Sequence, residues 1–107
     1  MRHKVTIRPE AESDLSEIYD FIAEKNPSAA LKFVSGLWDL ALSLADFPNR
    51  GASGDHLMPG IRLLTFRGRA VITYRVRGGV VDVTRVFYGR RDYQAILRSL
   101  RSQGKTE

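Results

Sequence analysis

With 107 residues the chain is long enough for one domain and too short for two, so we expect a single domain over residues 1–107. Its 43% hydrophobic and 27% charged residues exclude a disordered chain, and the lack of cysteine excludes disulfides, thiolate metal sites and cysteine nucleophiles. The net charge of +5 divides into −3 for residues 1–48 and +8 for residues 49–107, which indicates either a solvated basic surface or an anionic partner for the second half.

The first predicted elements are a short strand and an amphipathic helix. Residues 4–8 alternate polar and apolar side chains, which predicts a strand that ends before Pro9. Proline is favourable at a helix start because its missing N–H would have no partner there. Apolar residues then recur at helical spacing from Ala11 to Ile22, which predicts a helix to about Glu24. We interpret the acids of this helix as a solvent-exposed face that complements the helix dipole.

A second helix is predicted from about Pro27 to Asp46, ending before Pro48. Its apolar residues cover roughly 220° of the helical wheel, whereas a helix on a single core needs an apolar face only a little over 100° wide. The surplus must contact the first helix, the sheet or another molecule. Burial within the domain and a groove for a partner helix are both consistent with this pattern.

The rest of the chain has the pattern of a β-meander followed by a short helix. A turn-rich loop over residues 48–60 precedes strands predicted at residues 61–67, 70–76 and 80–88. After Gly89, Asp92 can cap a final helix. The order β-α-α-β-β-β-α predicts an α+β fold, in which two antiparallel helices pack on a small antiparallel sheet of three or four strands. The first strand can join the edge of this sheet, and its pairing partner is left open.

Few residues of the chain are suited to catalysis or metal binding. His3 and His56 are far apart in sequence and have no paired carboxylates beside them, which argues against a zinc site. The chain has no glycine-rich phosphate loop, and no serine has a histidine placed by sequence to activate it. We therefore expect no metal and no cofactor. No apolar run approaches the roughly 18 residues of a membrane span, so we expect a cytoplasmic protein without a membrane partner.

The last predicted strand contains a charge in an apolar row. Alternate residues of a strand share a face, which would place Arg85 beside Val83 and Phe87. An unpaired buried charge is costly, so this arginine must form an ion pair or reach water at the sheet edge. Asp82 and Asp92 are its candidate partners.

The segment after this strand has the clearest functional signal. Arg90 and Arg91 follow a helix-breaking glycine and could project together into a cleft. More charge is available from the neighbouring strands at Arg62, Arg67 and Arg69. Tyr88 and Tyr93 lie among these arginines, a combination that suits gripping phosphate and stacking on bases. It suits docking on an acidic protein surface equally well.

Several segments resemble the ParE branch of the RelE/ParE toxin superfamily, and together they extend over nearly the full length of the chain. They are residues 8–15, 18–24, 45–51, 59–62 and 85–92, the last of which ends in Phe-Tyr-Gly-Arg-Arg-Asp. The resemblance implies a toxin of a type II toxin–antitoxin system, connected with plasmid stabilisation, that poisons DNA gyrase rather than acting as an enzyme. It also implies a cognate ParD-like antitoxin that neutralises the toxin in a hetero-oligomer.

Two sets of candidate site residues follow from the residues and the resemblance together. The residues expected to act on the target are Arg62, Arg85, Tyr88, Arg90 and Arg91. The residues expected to bind the antitoxin are Phe21, Leu31, Trp38 and Leu42. Arg85 is the member of the first set that would most readily prove structural. We also expect Trp38→Ala to weaken antitoxin capture more than it weakens folding.

One departure from the family pattern leaves other functions open. ParE-like chains often have a histidine where this chain has Tyr88. RelE-like relatives cleave messenger RNA on the ribosome without a metal, using basic residues and a tyrosine or histidine near the C-terminus. A free tyrosine titrates near pH 10, so Tyr88 would need strong cationic neighbours to act as a base. The third alternative is a non-toxic binding module. Gyrase poisoning permits direct contact with nucleic acid but does not require it.

Overall fold

The computed structural model describes residues 2–89 and 97–98, in which two helices pack on one face of a sheet. The elements in chain order are β1 (Lys4–Ile7), α1 (Pro9–Ala23), α2 (Pro27–Ser43), β2 (Ala52–Ser53), β3 (Arg62–Phe66), β4 (Ala70–Arg77) and β5 (Val80–Tyr88). The predicted final helix and its cap Asp92 lie outside the described residues. In the described part of the chain, no helix is long and apolar enough to cross a membrane.

The two helices begin where the sequence places their start signals. Pro9 opens α1 and is followed by acids in the first turn. Asn26 caps α2, since its side-chain oxygen accepts the N–H of Ala29 at 3.0 Å. α2 ends at Ser43 rather than at the predicted Asp46, because the chain continues in turns over residues 44–46.

The strands form one mixed sheet in the order β1-β5-β4-β3-β2. The predicted α+β fold is confirmed, and the sheet differs from the expected one in two details. β1 pairs with β5 in parallel, from Lys4 opposite Val80 to Ile7 opposite Val83. The short strand β2 lies in the predicted loop and pairs with the start of β3. The described residues therefore contribute five strands, one of them parallel to its neighbour.

The main core lies between the helices and one face of the sheet. Its buried members are Ala11, Leu15, Ile18, Phe33, Leu37, Ala41, Leu44, Ala70, Ile72, Tyr74, Val81, Val83 and Val86. A smaller cluster contains Leu57, Phe87 and Leu97. α2 approaches the sheet closely at Gly36, where a Cβ atom would lie 2.6 Å from the tip of the Phe66 ring.

A β-bulge interrupts the pairing of β4 with β5. Tyr74 lies opposite Val83 and Thr73 lies opposite Arg85, so Thr84 is an extra residue in β5. The two threonine hydroxyls are 2.7 Å apart, and the Thr73 hydroxyl accepts the N–H of Arg85 at 3.1 Å. These side chains therefore provide the hydrogen bonds that a regular ladder would have made.

The bulge shifts the alternation of side chains along β5 by one residue. Val83 and, after the bulge, Val86 both belong to the main core on the helix side. Phe87 belongs to the smaller cluster, which we place on the opposite face because neighbouring strand residues point to opposite sides. The predicted row is therefore wrong for Val83, whereas Arg85 does lie beside Phe87, with its guanidinium carbon 5.2 Å from the centroid of the ring.

Candidate functional site

The carboxylate of Asp14 on α1 binds the middle of β5. Arg85 donates to it twice, from Nε at 2.7 Å and from Nη2 at 3.0 Å, and the backbone N–H of Val86 donates to it at 2.9 Å. β1 ends at Ile7, opposite Val83, so this carboxylate occupies the edge of β5 beyond the last residue pair with β1. The hydrogen bond to Asp14 raises the pKa of Arg85 above its ordinary value.

This ion pair differs from the predicted ones. Asp82 pairs instead with Arg8, at 2.8 Å, and Asp92 lies outside the described residues. The interpretation of the α1 acids as a solvent-exposed face is wrong for Asp14, which is 5% exposed. The signal was its position three residues after Ala11, on the buried stripe of the helix. Arg85 is consequently held in a structural pair.

Tyr88 lies in an aromatic cluster. Its ring contacts Phe21 and Phe33 edge-on, with centroid distances of 5.9 and 5.4 Å, and Phe33 contacts Phe66 in the same way at 5.2 Å. Edge-to-face packing of this kind is favourable because the positive ring edge meets the negative ring face. Tyr88 is half-buried by these contacts, so its ring has a packing role in addition to any role at the surface.

A groove of about 370 Å³ opens beside Tyr88, and we call it the Phe21–Tyr88 groove. It is lined by Asp14, Glu17, Ile18, Phe21, Val86, Tyr88 and Gly89. Its lining side chains are mostly apolar, and its two charged ones are carboxylates. Phe21 is 65% exposed at this groove. The groove therefore suits an apolar side chain of a partner better than a phosphate group.

Arg62 holds the loop that precedes β2. Its Nη1 donates to the carbonyl oxygens of Gly51 at 2.6 Å and of Asn49 at 3.3 Å. The neighbouring Tyr74 hydroxyl accepts the N–H of Gly51 at 2.8 Å, and burial raises the pKa of this tyrosine. One nitrogen of Arg62, Nη1, is thus engaged by backbone carbonyls of this loop.

The predicted target-binding residues do not all come together. Arg62 lies at the start of β3, whereas Tyr88 is aligned, through Ala70, with Phe66 at its end. Four residues along a strand separate these ends by about 13 Å. The turn between β3 and β4 does reach the end of β5, because Gly89 donates to the carbonyl of Arg69 at 2.8 Å. Arg90, Arg91 and Tyr93 lie outside the described residues.

The predicted antitoxin-binding residues are divided between two surfaces. Leu31, Trp38 and Leu42 fall within about 40° of one another around α2, and we call them the α2 stripe. Leu31 is 61% exposed and Leu42 is 49% exposed, while Trp38 is half-buried against the main core. Phe33, whose ring packs on Tyr88, lies about 200° around α2 from Leu31. Phe21, which contacts the same tyrosine ring, therefore lies away from the α2 stripe.

Sequence reasoning missed one exposed aromatic residue. Phe47 lies in the turn after α2, immediately before Pro48, and its side chain is 62% exposed. The available signal was a large apolar side chain in a turn between a helix end and a proline, where burial in the main core is not expected.

Comparison with known proteins decides the family of the chain. Residues 5–93 match the family model described as the ParE toxin of the type II toxin–antitoxin system parDE. The chain belongs to the ParE toxin family. Toxin RelE1 of Caulobacter vibrioides is 31% identical to this ParE-family chain over 90 residues, which cover 83% of this chain and 96% of that protein. The predicted toxin superfamily is thereby confirmed.

Two solved structures share the fold of this ParE-family chain. The structure of a chromosomal ParDE system from P. aeruginosa matches with a TM-score of 0.72 and 26% identity, covering 83% of this chain and 98% of that one. The toxin–antitoxin complex RelBE2 from Mycobacterium tuberculosis matches with a TM-score of 0.62 and 20% identity, covering 82% and 99%. Both matches agree with the arrangement of two helices on a mixed sheet in this chain.

Proposed function

We propose that this ParE-family chain poisons DNA gyrase in the cytoplasm and is neutralised by a cognate ParD-like antitoxin. The observation that carries the proposal is the match of residues 5–93 to the ParE toxin model. Gyrase as the target is what the likeness to the ParE branch implies. Poisoning of this kind needs a binding surface and no catalytic group on the toxin.

The geometry around Tyr88 supports a toxin that acts by binding. Metal-free cleavage of RNA needs a base for the 2′-hydroxyl and cations to stabilise the phosphorane. Of the described arginines, Arg85 is paired with Asp14 and Arg62 donates from Nη1 to backbone carbonyls, which leaves Arg67 and Arg69, in the turn that reaches the end of β5, as the cations near Tyr88. The groove beside Tyr88 is lined by no cation, and of its two carboxylates that of Glu17 repels phosphate while that of Asp14 is paired with Arg85.

The exposed apolar side chains support an antitoxin partner. Contiguous apolar patches on small proteins commonly mark protein interfaces, and the α2 stripe and the Phe21–Tyr88 groove are two such patches. The structure of the M. tuberculosis relative is that of a toxin–antitoxin complex. We propose that the antitoxin of this chain covers the α2 stripe in a hetero-oligomer.

One observation favours a second candidate function. The relative that is 31% identical to this chain is named Toxin RelE1. RelE-like toxins cleave messenger RNA on the ribosome, and Tyr88 stands where ParE-like chains often have histidine. Ribosome-dependent cleavage is therefore the alternative that an experiment must separate from gyrase poisoning.

Induced expression in bacteria tests the proposal. The chain is expressed alone and together with the antitoxin gene encoded beside it, while growth, plasmid topology and transcript integrity are followed in the same culture. We expect growth arrest with linearised, protein-linked plasmid, and normal growth when the antitoxin is present. Cleaved transcripts with intact plasmid would establish the RelE-like activity instead. Unaffected growth would indicate a non-toxic binding module.

A further inference from the structure

The sheet face opposite the helices has an apolar half and a polar half. The apolar half carries the cluster of Leu57, Phe87 and Leu97. The polar half lies toward the other end of β4, where Arg75 and Arg77 share a face because they are two residues apart in a strand. We call this half the Arg75 face. Two cavities on this face are lined chiefly by polar and charged side chains.

Arg75 has a buried donor without an acceptor. Its Nε–H is buried and makes no hydrogen bond to any of the described residues. Native proteins satisfy most buried donors, so this guanidinium is unusual in having no acceptor among the described residues, and its outer Nη groups are the donors that a ligand could reach. The two Nη groups of a guanidinium form a fork that fits two oxygens of one anion.

The acid nearest to Arg75 across the sheet is already engaged. Asp82 lies opposite Arg75 in the β4–β5 pair, but its Oδ2 accepts the Nε–H of Arg8 at 2.9 Å and its Oδ1 accepts the Thr6 hydroxyl at 3.3 Å. The hydrogen bond to Asp82 also raises the pKa of Arg8. Among the described residues, Arg75 and Arg77 form no ion pair. The positive charge of the Arg75 face is therefore only partly neutralised.

Two cavities open on this face and share Arg8 and Arg75 in their walls. The first has a volume of about 440 Å³ and is also lined by Thr6, Arg77, Val80 and Asp82. The second has a volume of about 270 Å³ and is also lined by Glu10, Met58, Thr84, Arg85 and Leu97. In the second cavity Glu10 opposes an anion, and Arg85 is already bound to Asp14. The first cavity is consequently the better anion site.

The composition of the Arg75 face favours a nucleic acid over a protein partner. Protein interfaces are centred on buried apolar or aromatic side chains. The large exposed apolar side chains of the described residues are Phe21, Leu31, Leu42 and Phe47, all on the helices or in the turn after α2. The first cavity has a single apolar residue in its wall, Val80. Contacts to phosphate need arginine and hydroxyl donors and no apolar centre.

We propose that the Arg75 face binds the phosphate backbone of a nucleic-acid strand, with Arg75 and Arg77 contacting phosphate oxygens and Arg8 neutralising the charge of Asp82 beside them. The binding is independent of base sequence, because contacts to phosphate carry no sequence information. It goes beyond the proposed function, since it requires neither gyrase nor antitoxin.

Fluorescence anisotropy of a short labelled single-stranded DNA tests the proposal with the purified chain over a range of salt concentrations. Each phosphate contact to a single strand contributes about 0.7 to the slope of log K against log salt. We therefore expect Arg75→Gln with Arg77→Gln to weaken binding and to lower that slope by about 1.4. Arg77→Gln alone lowers the slope by about 0.7 and changes only an exposed side chain.

The matched control removes two charges from the helical side. Lys25→Gln with Lys32→Gln has the same change in net charge and should leave the slope unaltered, because both lysines are exposed and belong to another surface. Equal losses in both double variants would overturn the proposal in favour of diffuse attraction. It would also be overturned if the DNA did not bind, or if a polyglutamate peptide bound the Arg75 face in its place. Circular dichroism of each variant verifies the fold.

Discussion

Asp14 is the residue on which the contact between α1 and β5 most depends. One carboxylate accepts three donors, two from Arg85 and one from the backbone of Val86. Removing one partner of a buried ion pair leaves the other charge uncompensated, which is more costly than the pair itself is stabilising. An unsatisfied N–H at Val86 adds a further cost.

We predict that Asp14→Ala lowers the free energy of unfolding by about 3 kcal/mol, measured by urea denaturation. Asp20→Ala is the matched control on the same helix, since Asp20 is exposed and should change stability by less than about 0.5 kcal/mol. Similar effects for the two variants would show that the contact between Asp14 and β5 contributes little to stability.

A substitution that removes only the hydroxyl of Tyr88 can distinguish a toxin that binds its target from one that cleaves RNA. Tyr88→Phe keeps the ring that contacts Phe21 and Phe33 and removes only the oxygen that could act as a base. We predict that this variant still arrests growth when expressed without antitoxin. Loss of toxicity, with unchanged thermal stability and antitoxin binding, would show that the hydroxyl is needed and would favour RNA cleavage.

Among the elements, the loop between β2 and β3 has a pH-dependent anchor. Asp55 accepts the N–H of Gly60 at 2.8 Å, and this hydrogen bond lowers the pKa of Asp55 below its ordinary value of 3.8. A lowered pKa in the folded state gives a stabilisation that is present above the unfolded pKa and is lost as pH falls through the folded one.

We therefore predict that the hydrogen-exchange protection of the Gly60 N–H falls as the pH is lowered below about 4. The Gly54 N–H is the internal control, because it donates to the backbone carbonyl of Ile61 at 2.8 Å and involves no titrating group. Protection of Gly60 that did not change with pH, or that changed equally in Asp55→Ala, would contradict this assignment.

We predict that the exposed leucines of the α2 stripe contribute to antitoxin binding and little to folding. Leu31→Ser with Leu42→Ser should cost folding less than about 1 kcal/mol, because both side chains are largely exposed. The pair should weaken antitoxin capture by roughly tenfold or more, measured by titration calorimetry. Lys32→Gln on the same helix is the control. Unchanged capture in the double variant would place the antitoxin elsewhere, with the Phe21–Tyr88 groove as the next surface to test.

Trp38 is a weaker probe of the same surface. Its half-buried ring packs on the main core, so Trp38→Ala combines a loss of packing with any loss of antitoxin contact. The expectation that this substitution affects capture more than folding stays a prediction.

Sequence patterns located most elements well, because their ends are marked by special residues. β5 has the predicted bounds, Val80 to Tyr88, since glycines precede and follow it. The bulge at Thr84 was not predictable, because it depends on which residue of β4 lies opposite. The parallel partner of β1 was not predictable either, since residues 4–7 and 80–83 meet only after the helices have packed.

The candidate site was less predictable than the fold, because it depends on contacts between residues that are far apart in sequence. Exposure of Leu31 and Leu42 could be inferred from the surplus width of the apolar face of α2. The pairing of Arg85 with Asp14 joins residues 71 positions apart, and no local pattern of charges indicates it. Arg75 was overlooked because only the three-dimensional arrangement shows that Asp82 is engaged by Arg8.

At the scale of the whole molecule, the described residues present different chemistry on the two sides of the sheet. Exposed apolar side chains lie on the helices and in the turn after α2, and arginines line the polar half of the sheet face. This arrangement separates a surface suited to a protein partner from one suited to an anion. An antitoxin on the helical side and a nucleic acid on the sheet side would therefore not need to compete for the same residues.

The most direct test of gyrase poisoning uses the purified chain with purified gyrase, ATP and plasmid, followed by detergent and protease treatment. We predict linear plasmid that appears only when the chain is present, and that disappears when the antitoxin is added first. In a parallel translation reaction with ribosomes, the messenger RNA should stay intact. Normal supercoiling by gyrase together with ribosome-dependent cleavage of the messenger RNA would contradict the account and assign the chain the RelE-like activity.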